Sequence, residues 1–551
     1  MRRFERPSRS MAARAAGAAP LGAAAPQGRR RLLVATALSV SVAVTGLTAV
    51  SATATTPAGA GRWQWTTQDV APGVQVRTGT LTRADSAPVW TITVQSPGTS
   101  RLTGAASWSD VAPADWATAT AGTLTAAGLD ARVEDVAWPA YTGLPHGTMG
   151  QRVRVGSYTT QAAATAAARS VTAAHFHAAV QWTGYDAQTP ADRENVHVAV
   201  IDPHRFTGTV EGTHDGSVTQ RETTSSVAAG LGSLVGVNAG FFVTADADGV
   251  QGTQSGIGAY DGQLQSMASG TRAALVIQNG GHRFRVANLA TEVTARVGGA
   301  SLAVQGINRV PGTVRDCGRP GARPSDLPWQ DVTCTLADDA VLFTDRFSAA
   351  LPTGAGTQAV LDAAGRVVSV GARGGAVPAG DRVLQGIGSA GDWLSAHAVV
   401  GRTVQVDEEI RDEHGGRVHL GPRDSIVSAA PVLVRNGRVG IDAVREGTMD
   451  PKDLSYGYAW SEIRQPRTLA GVDARGRLIL ATVDGRLAGG SEGFTLNEAA
   501  SFIRSLGAVQ ALNLDGGGST AMAVNGTLVN STSDATGERA VGDTVQVLPQ
   551  R

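Results

Sequence analysis

The sequence predicts an α+β fold, with a large strand-rich domain preceded by a small unit of alternating strands and helices. Three observations predict it. From about Asn195 onward, short apolar runs recur between glycine-rich turns, and one segment has a clear helical pattern. Between residues 101 and 182 the order is strand, helix, strand, strand, helix, strand. The 69 glycines of the 551-residue chain sit among enough aromatic and β-branched residues for a packed core. A chain this long exceeds one ordinary core and implies two or three domains.

Residues 1–54 stand apart from that fold. Arg2, Arg3, Arg6, Arg9, Arg14 and then Arg29-Arg30-Arg31 form a basic leader, and an apolar stretch at 32–50 follows. Ala52-Thr53-Ala54 supplies the small residues that a signal peptidase accepts. The expectation is a signal peptide cleaved near Ala54 and a secreted or cell-surface protein. A retained membrane anchor is the competing reading; Ser39, Ser41, Thr45, Gly46 and Thr48 weaken it. Export changes the charge. The whole chain balances 47 basic against 47 acidic residues, but without the leader 39 face 46, a net of −7. That balance holds no basic excess to neutralise a nucleic-acid backbone, so nucleic acid is not an expected partner. The two cysteines, Cys317 and Cys334, lie in one polar, proline-rich insertion with no histidine between them. In an exported chain they are expected to close that loop as a disulfide rather than to bind zinc.

Taken in order, alternating runs at 75–81 and 89–95 read as N-terminal strands within residues 55–100. A strand at 101–108 and a helix at 113–127, ended by Gly128, come next. Strands at 131–138 and 152–158, a helix at 161–175 and a strand at 178–182 complete the set. This order is that of a ferredoxin-like unit. The stretch Gln151-Arg152-Val153-Arg154-Val155-Gly156-Ser157-Tyr158 and the alanine-rich helix after it resemble the SPOR (sporulation-related repeat) domain. That resemblance assigns residues 101–185 and implies binding to peptidoglycan; the plainer alternative is an extra lobe packed on the main domain. Residues 190–551 form the large domain, with strands expected at 196–201, 234–237, 273–278, 341–344, 366–370, 432–434, 478–483 and 509–514. Its helix, 496–505, is announced by the capping box of Thr495 and Glu498 and stopped by Gly507.

Chemistry concentrates where strands end in glycines and polar residues. Leu512-Asn513-Leu514-Asp515-Gly516-Gly517-Gly518-Ser519-Thr520 delivers one carboxylate into three glycines, whose amides can approach a ligand and form an anion nest. No lysine follows, so this is not a nucleotide P-loop; the alternative is a tight turn capped by Asp515. Arg464-Gln465-Pro466-Arg467-Thr468 offers two guanidiniums shaped for phosphate, against the usual fate of a solvated arginine. Asp484-Gly485-Arg486 pairs another carboxylate and guanidinium, or forms a salt-bridged turn. Asn238-Ala239-Gly240-Phe241-Phe242 places an amide where it can orient a sugar hydroxyl or phosphate oxygen.

Together these elements resemble the phosphodiester glycosidase family. Asn238 to Phe242 is similar to its N-G-F-F-like element, with Ala239 replacing glycine, and Gly306-Ile307-Asn308-Arg309 matches a second element loosely. Arg464 to Thr468, Asp484 to Arg486 and Asn513 to Thr520 match further elements, and Arg539 fits a closing R-x-V. The resemblance implies hydrolysis of a glycosyl phosphodiester to free sugar and a phosphomonoester. Asp515 and Asp484 would supply the negative charge and the base. Arg464, Arg467, Arg486, Arg539, Thr468, Asn238, Gly516, Gly517, Gly518 and Ser519 would hold substrate and phosphate. No cofactor is required; a divalent cation bridging aspartate and phosphate is allowed, but no spacing demands one.

Two rivals are weaker. Gly489-Gly490-Ser491-Glu492-Gly493 satisfies the G-x-S-x-G pattern of serine hydrolases, yet no histidine follows His419 to complete a triad in that chain order. A non-catalytic binder of cell wall or polysaccharide would retain the fold, but has no evident need for the complete set of elements.

Overall fold

The computed structural model describes residues 62–83, 87–102, 104–186, 188, 191–318 and 328–550. The expected signal peptide and its cleavage site lie outside the described residues. Among those residues no helix is long and apolar enough to cross a membrane.

The largest sheet is antiparallel throughout. Its order is Arg62–Ala71, Val74–Thr82, Arg193–Ile201, Leu478–Val483, Arg467–Asp473, Ala508–Asn513, Val432–Arg435 and Arg438–Val439. Its central strands read as continuous apolar runs because both faces are covered. Leu478 and Leu480 enter one core, shared with Val235, Val237, Val545 and Val547 of a second sheet. Ile479, Ala481 and Val483 enter another, against Leu496, Ala499, Phe502 and Ile503 of helix Leu496–Ser505. Each such leucine contributes about 1.5–3 kcal/mol by leaving water, so Leu480→Ala would cost about 2–5 kcal/mol. The helix begins as the sequence indicates: Thr495 Oγ1 accepts from the Glu498 amide, and the Glu498 carboxylate accepts from the Thr495 amide.

A second sheet of five strands orders Thr527–Leu528, Met522–Val524, Val235–Asn238, Thr544–Leu548 and Thr209–Thr213. Two more sheets, of seven and five strands, enclose a third core that includes Leu275's neighbours Ala274 and Val276 with Leu342 and Leu384. Cys317 and Cys334 are joined as a disulfide.

The N-terminal region is wired differently from the expectation. The hairpin Arg62–Ala71/Val74–Thr82 is no separate leader to the lobe; it supplies two strands of the main sheet. The lobe itself is an insertion between two neighbouring strands, Val74–Thr82 and Arg193–Ile201. Its sheet runs His177–Trp182, Trp90–Thr99, Thr148–Tyr158, Ala131–Ala137, each antiparallel to the next. The first strand of the lobe is therefore Trp90–Thr99, not 101–108. In that run the chain reverses, the Gly104 amide donating to Ser100 O, and only Ala106–Ser109 pairs back as a hairpin. Apolar alternation alone does not register such a turn.

Helices Ala114–Ala126 and Gln161–Ala173 cover one face of this sheet through Leu124 and Val171, which pack on Ile92, Val94, Val153 and Val155. The other face is not open. It carries Arg152 and Arg154, 2% and 0% exposed, both paired with Asp186, and Arg152 also donates to Tyr458 of the main domain. Through this face the lobe contacts the main domain.

Candidate active site

A cavity of about 470 Å³ opens where several strand ends meet. The loop after Ala508–Asn513 contributes Asp515 and Gly516 to Gly518, and the loop after Val235–Asn238 contributes Phe241, Phe242 and Thr244. Tyr456, Trp460, Gln465, Arg486 and Arg539 line it from other sides. Arg315 and Asp316, just before the disulfide-closed insertion, and Gln330 and Asp331, within it, complete the wall.

Buried partners hold the backbone of Asp515. Its amide donates to Ala239 O (2.8 Å), and its carbonyl accepts from Asn238 Nδ2 (2.7 Å). Asn238 Oδ1 in turn accepts from Thr468 Oγ1 (2.6 Å) and the Ala521 amide (3.0 Å). Asn238 and Thr468 are both fully buried, so the structure places them behind Asp515 rather than against a ligand. Burial pushes the Asp515 carboxyl up to about 6, against hydrogen bonds from Ser519 and the Gly516 amide and the charge of Arg539. Asp543 adds to the rise; it is itself buried, holds the Gly240 amide (2.7 Å) and Tyr260 hydroxyl (2.8 Å), and is pushed up to about 6 by burial.

The three glycines are required by close approach more than by free amides. Gly517 has φ +59°, and a methyl added at Gly518 would overlap Arg539 and Asp534. The Gly516 amide donates to its neighbour Asp515 Oδ1 (2.9 Å) and that of Gly517 to Pro466 O (2.9 Å). Those two amides are already engaged, which corrects the expectation of a backbone nest formed by all three. Positive charge comes instead from side chains. Arg486 donates to Gln465 Oε1 (2.7 Å) and Arg539 to Asp534 Oδ2 (2.8 Å). Burial lowers Arg486, and the positive charge of Arg539 lowers it further. Both guanidiniums thus line the cavity, that of Arg539 ion-paired with Asp534.

Other sequence-predicted residues lie off the cavity. Arg464 donates from Nε and Nη2 to Glu498 and from Nη1 to Gly184 O (2.8 Å), so it braces a helix rather than gripping phosphate. Arg467 donates to Phe494 O (2.9 Å) and Trp460 O (2.6 Å) and lies over the Trp460 ring at 5.1 Å; burial lowers it to about 10. The Asp484 carboxylate accepts from the Ser531 amide (3.1 Å), and burial pushes it up to about 6. Ser519 is buried beneath the loop and close to Arg539 Nη1 (3.5 Å). Ser491 is buried, its hydroxyl bonded to Glu194, Asp484 O and the Asn195 amide, which leaves no exposed nucleophile there. Among the described residues, no three His, Cys, Asp or Glu side chains converge as metal ligands.

Sequence reasoning missed the aromatic wall. Phe241 and Trp460 meet edge to face at 6.2 Å, and Tyr456 is pinned by its hydroxyl to Gln330 O (2.5 Å) and Gly447 O (2.6 Å). It also missed Arg315, Asp316, Asp331 and Asp543. A tract dense in aromatics, Tyr456-Gly457-Tyr458-Ala459-Trp460, was the available signal.

Comparison with known proteins bears on this geometry. Residues 355–548 match the phosphodiester glycosidase family. The glycosidase-family segment contains Arg486, Asp515, the three glycines and Arg539, whereas Phe241 and the Arg315–Asp331 wall precede it. The N-acetylglucosamine-1-phosphodiester alpha-N-acetylglucosaminidase of Mus musculus is 30% identical over 181 residues, 29% of this chain and 35% of that one. Its Homo sapiens counterpart is 32% identical over 129 residues, 23% and 24% of the two chains. The chain thus spans a quarter to a third of the length of these relatives. A crystal structure of a protein from Burkholderia pseudomallei K96243 superposes with TM-score 0.78 at 32% identity, covering 91% of this chain and all of that one.

Proposed function

We propose that this chain is an exported hydrolase that cleaves the glycosidic bond of a sugar-1-phosphodiester of the cell wall or an exopolysaccharide. The products are free sugar and a phosphomonoester. One observation carries the reading: Asp515, Arg486 and Arg539 share a cavity with an aromatic wall, within a segment that matches the phosphodiester glycosidases. Phe241, Trp460 and Tyr456 suit the apolar face of a sugar ring, and the two arginines suit the phosphate.

In this scheme a water oxygen bonds to the anomeric carbon as the bond from that carbon to the phosphate oxygen breaks. The electron pair leaves with the phosphate, whose charge Arg486 and Arg539 screen. Asp515, ionised above about 6, stabilises positive charge at the anomeric carbon and accepts the proton of the attacking water. Asp484 supports the neighbouring loop through Ser531. The test is sugar release by the protein lacking its leader, offered UDP-N-acetylglucosamine and a cell-wall polymer digest, with and without EDTA, beside Asp515→Asn. Release by the wild type, lost in a folded Asp515→Asn, supports the reading. Binding to wall material without turnover of any glycosyl phosphate overturns it.

A further inference from the structure

The N-terminal lobe reaches the cavity without lining it. The link is the five-residue helix Tyr458–Glu462, which starts after Gly457 without any side-chain cap. A helix so short and uncapped has no stability of its own and takes its position from what packs on it. On one side it meets the lobe. Tyr458 accepts at its hydroxyl from Arg152 Nη2 (2.7 Å), while Arg152 Nη1 is held by Asp186 (2.8 Å). Glu462 accepts from the Tyr141 hydroxyl, both groups being buried. The chain just beyond is bound as well: the Arg464 amide donates to Tyr185 O (2.8 Å), and Ile463 bridges Asp186.

From the same helix, Trp460 lines the cavity. The Trp460 carbonyl accepts from Gln465 Nε2 (2.5 Å) and Arg467 Nη2 (2.6 Å), and Gln465 Oε1 accepts from Arg486 (2.7 Å). The short helix therefore joins two sets of hydrogen bonds, one from Arg152 and Tyr141 of the lobe and one from its Trp460 carbonyl through Gln465 to one of the two cavity arginines.

We propose that Arg152 and Tyr141 of the lobe are positioning residues for the site, setting Trp460 and Arg486 through the helix they latch. The lobe is then part of the binding machinery, whatever else it does. The consequence for turnover rests on the glycosidase reading; the consequence for the helix and for phosphate binding does not.

The test uses the full chain without its leader. Tyr141→Phe and Tyr458→Phe each remove a single hydroxyl, and Arg152→Met removes the guanidinium while Asp186 keeps Arg154. Amide hydrogen exchange over residues 458–465 is compared with that of strand Arg467–Asp473 in the same molecule. Loss of one hydrogen bond is expected to speed exchange in 458–465 about two- to tenfold and to leave the strand unchanged. Inorganic phosphate affinity should weaken by a similar factor, and KM should rise more than kcat falls. In a Trp460→Ala background, Tyr458→Phe should raise KM by a smaller factor than in the wild type, the remainder passing through Gln465 and Arg486, a non-additivity that a purely structural role would not produce. Unaltered exchange in all three variants overturns the latch. Faster exchange with unaltered phosphate affinity and KM overturns its role at the site. If the wild type cleaves no glycosyl phosphate, the glycosidase reading fails, and the exchange and phosphate results still decide the latch.

Discussion

Replacing Asp515 by asparagine separates catalysis from stability, because the two respond in opposite directions. The carboxyl is raised from its usual 3.8 to about 6 by burial, so the folded state holds its proton more tightly than the unfolded chain does. The stability contributed by that proton is complete below pH 3.8 and is lost as pH rises through about 6. A shift of this size corresponds to about 3 kcal/mol, reduced to about 1–2 kcal/mol where the carboxylate opens onto solvent in the cavity. Asparagine retains the acceptor for the Gly516 amide but carries no charge, so it escapes the loss. Asp515→Asn should match the wild type in thermal unfolding near pH 4 and exceed it by about 1–2 °C at pH 8, given the size of the chain. Sugar release should fall by about a hundredfold or more at every pH, and in the wild type it should rise through pH 6. Turnover within a few fold of wild type would refute the catalytic assignment. Equal destabilisation at both pH values would refute the electrostatic one.

Other outcomes follow from the same geometry. Arg486→Met and Arg539→Met should each weaken inhibition by inorganic phosphate about 10- to 100-fold, read by titration, with little change in melting; unchanged inhibition in both would remove the anion site. Asn238→Ala strands the Thr468 hydroxyl, the Ala521 amide and the Asp515 carbonyl in a dry interior. It should cost about 2–4 kcal/mol in urea unfolding and lower kcat by misplacing Asp515, whereas a cost below about 1 kcal/mol would contradict the packing described. A chain begun at residue 190 loses Val74 and Val76 from the core and bares the edge of Arg193–Ile201. It should be recovered as aggregate; a soluble monomer with native-like melting would be inconsistent with the sheet order.

Much of the large domain was legible because local chemistry agreed with its final setting. The capping box at Thr495, the Leu478–Val483 run and the Asp515 turn each announce themselves within a few residues. Roles that depend on distant partners were not legible. Arg464 and Arg467 share a motif suited to phosphate, yet Glu498 and the carbonyls of Gly184, Phe494 and Trp460 occupy them instead. Arg486 and Arg539, just as ordinary in sequence, end in the cavity because Gly517 and Gly518 leave room for them. The run at 75–81 was set apart from the large domain for a related reason. Its partner strand begins at Arg193, beyond the whole lobe, and no local pattern encodes a pairing across such an interval.

That interval shapes how the molecule is made. Arg193–Ile201 needs Leu478–Val483 on its far side, so the main sheet closes only when most of the chain has emerged, and non-local pairings of this kind fold slowly. The lobe escapes the delay, since its strands pair within the inserted stretch. Its two ends leave at Thr82 and Arg193, which face each other in register. Once the lobe has folded, those ends are close, and the entropy of closing the long intervening loop no longer opposes their pairing. An insertion that lengthens the chain thus shortens the search, seeding the sheet from its N-terminal side before the strands that carry the cavity residues arrive.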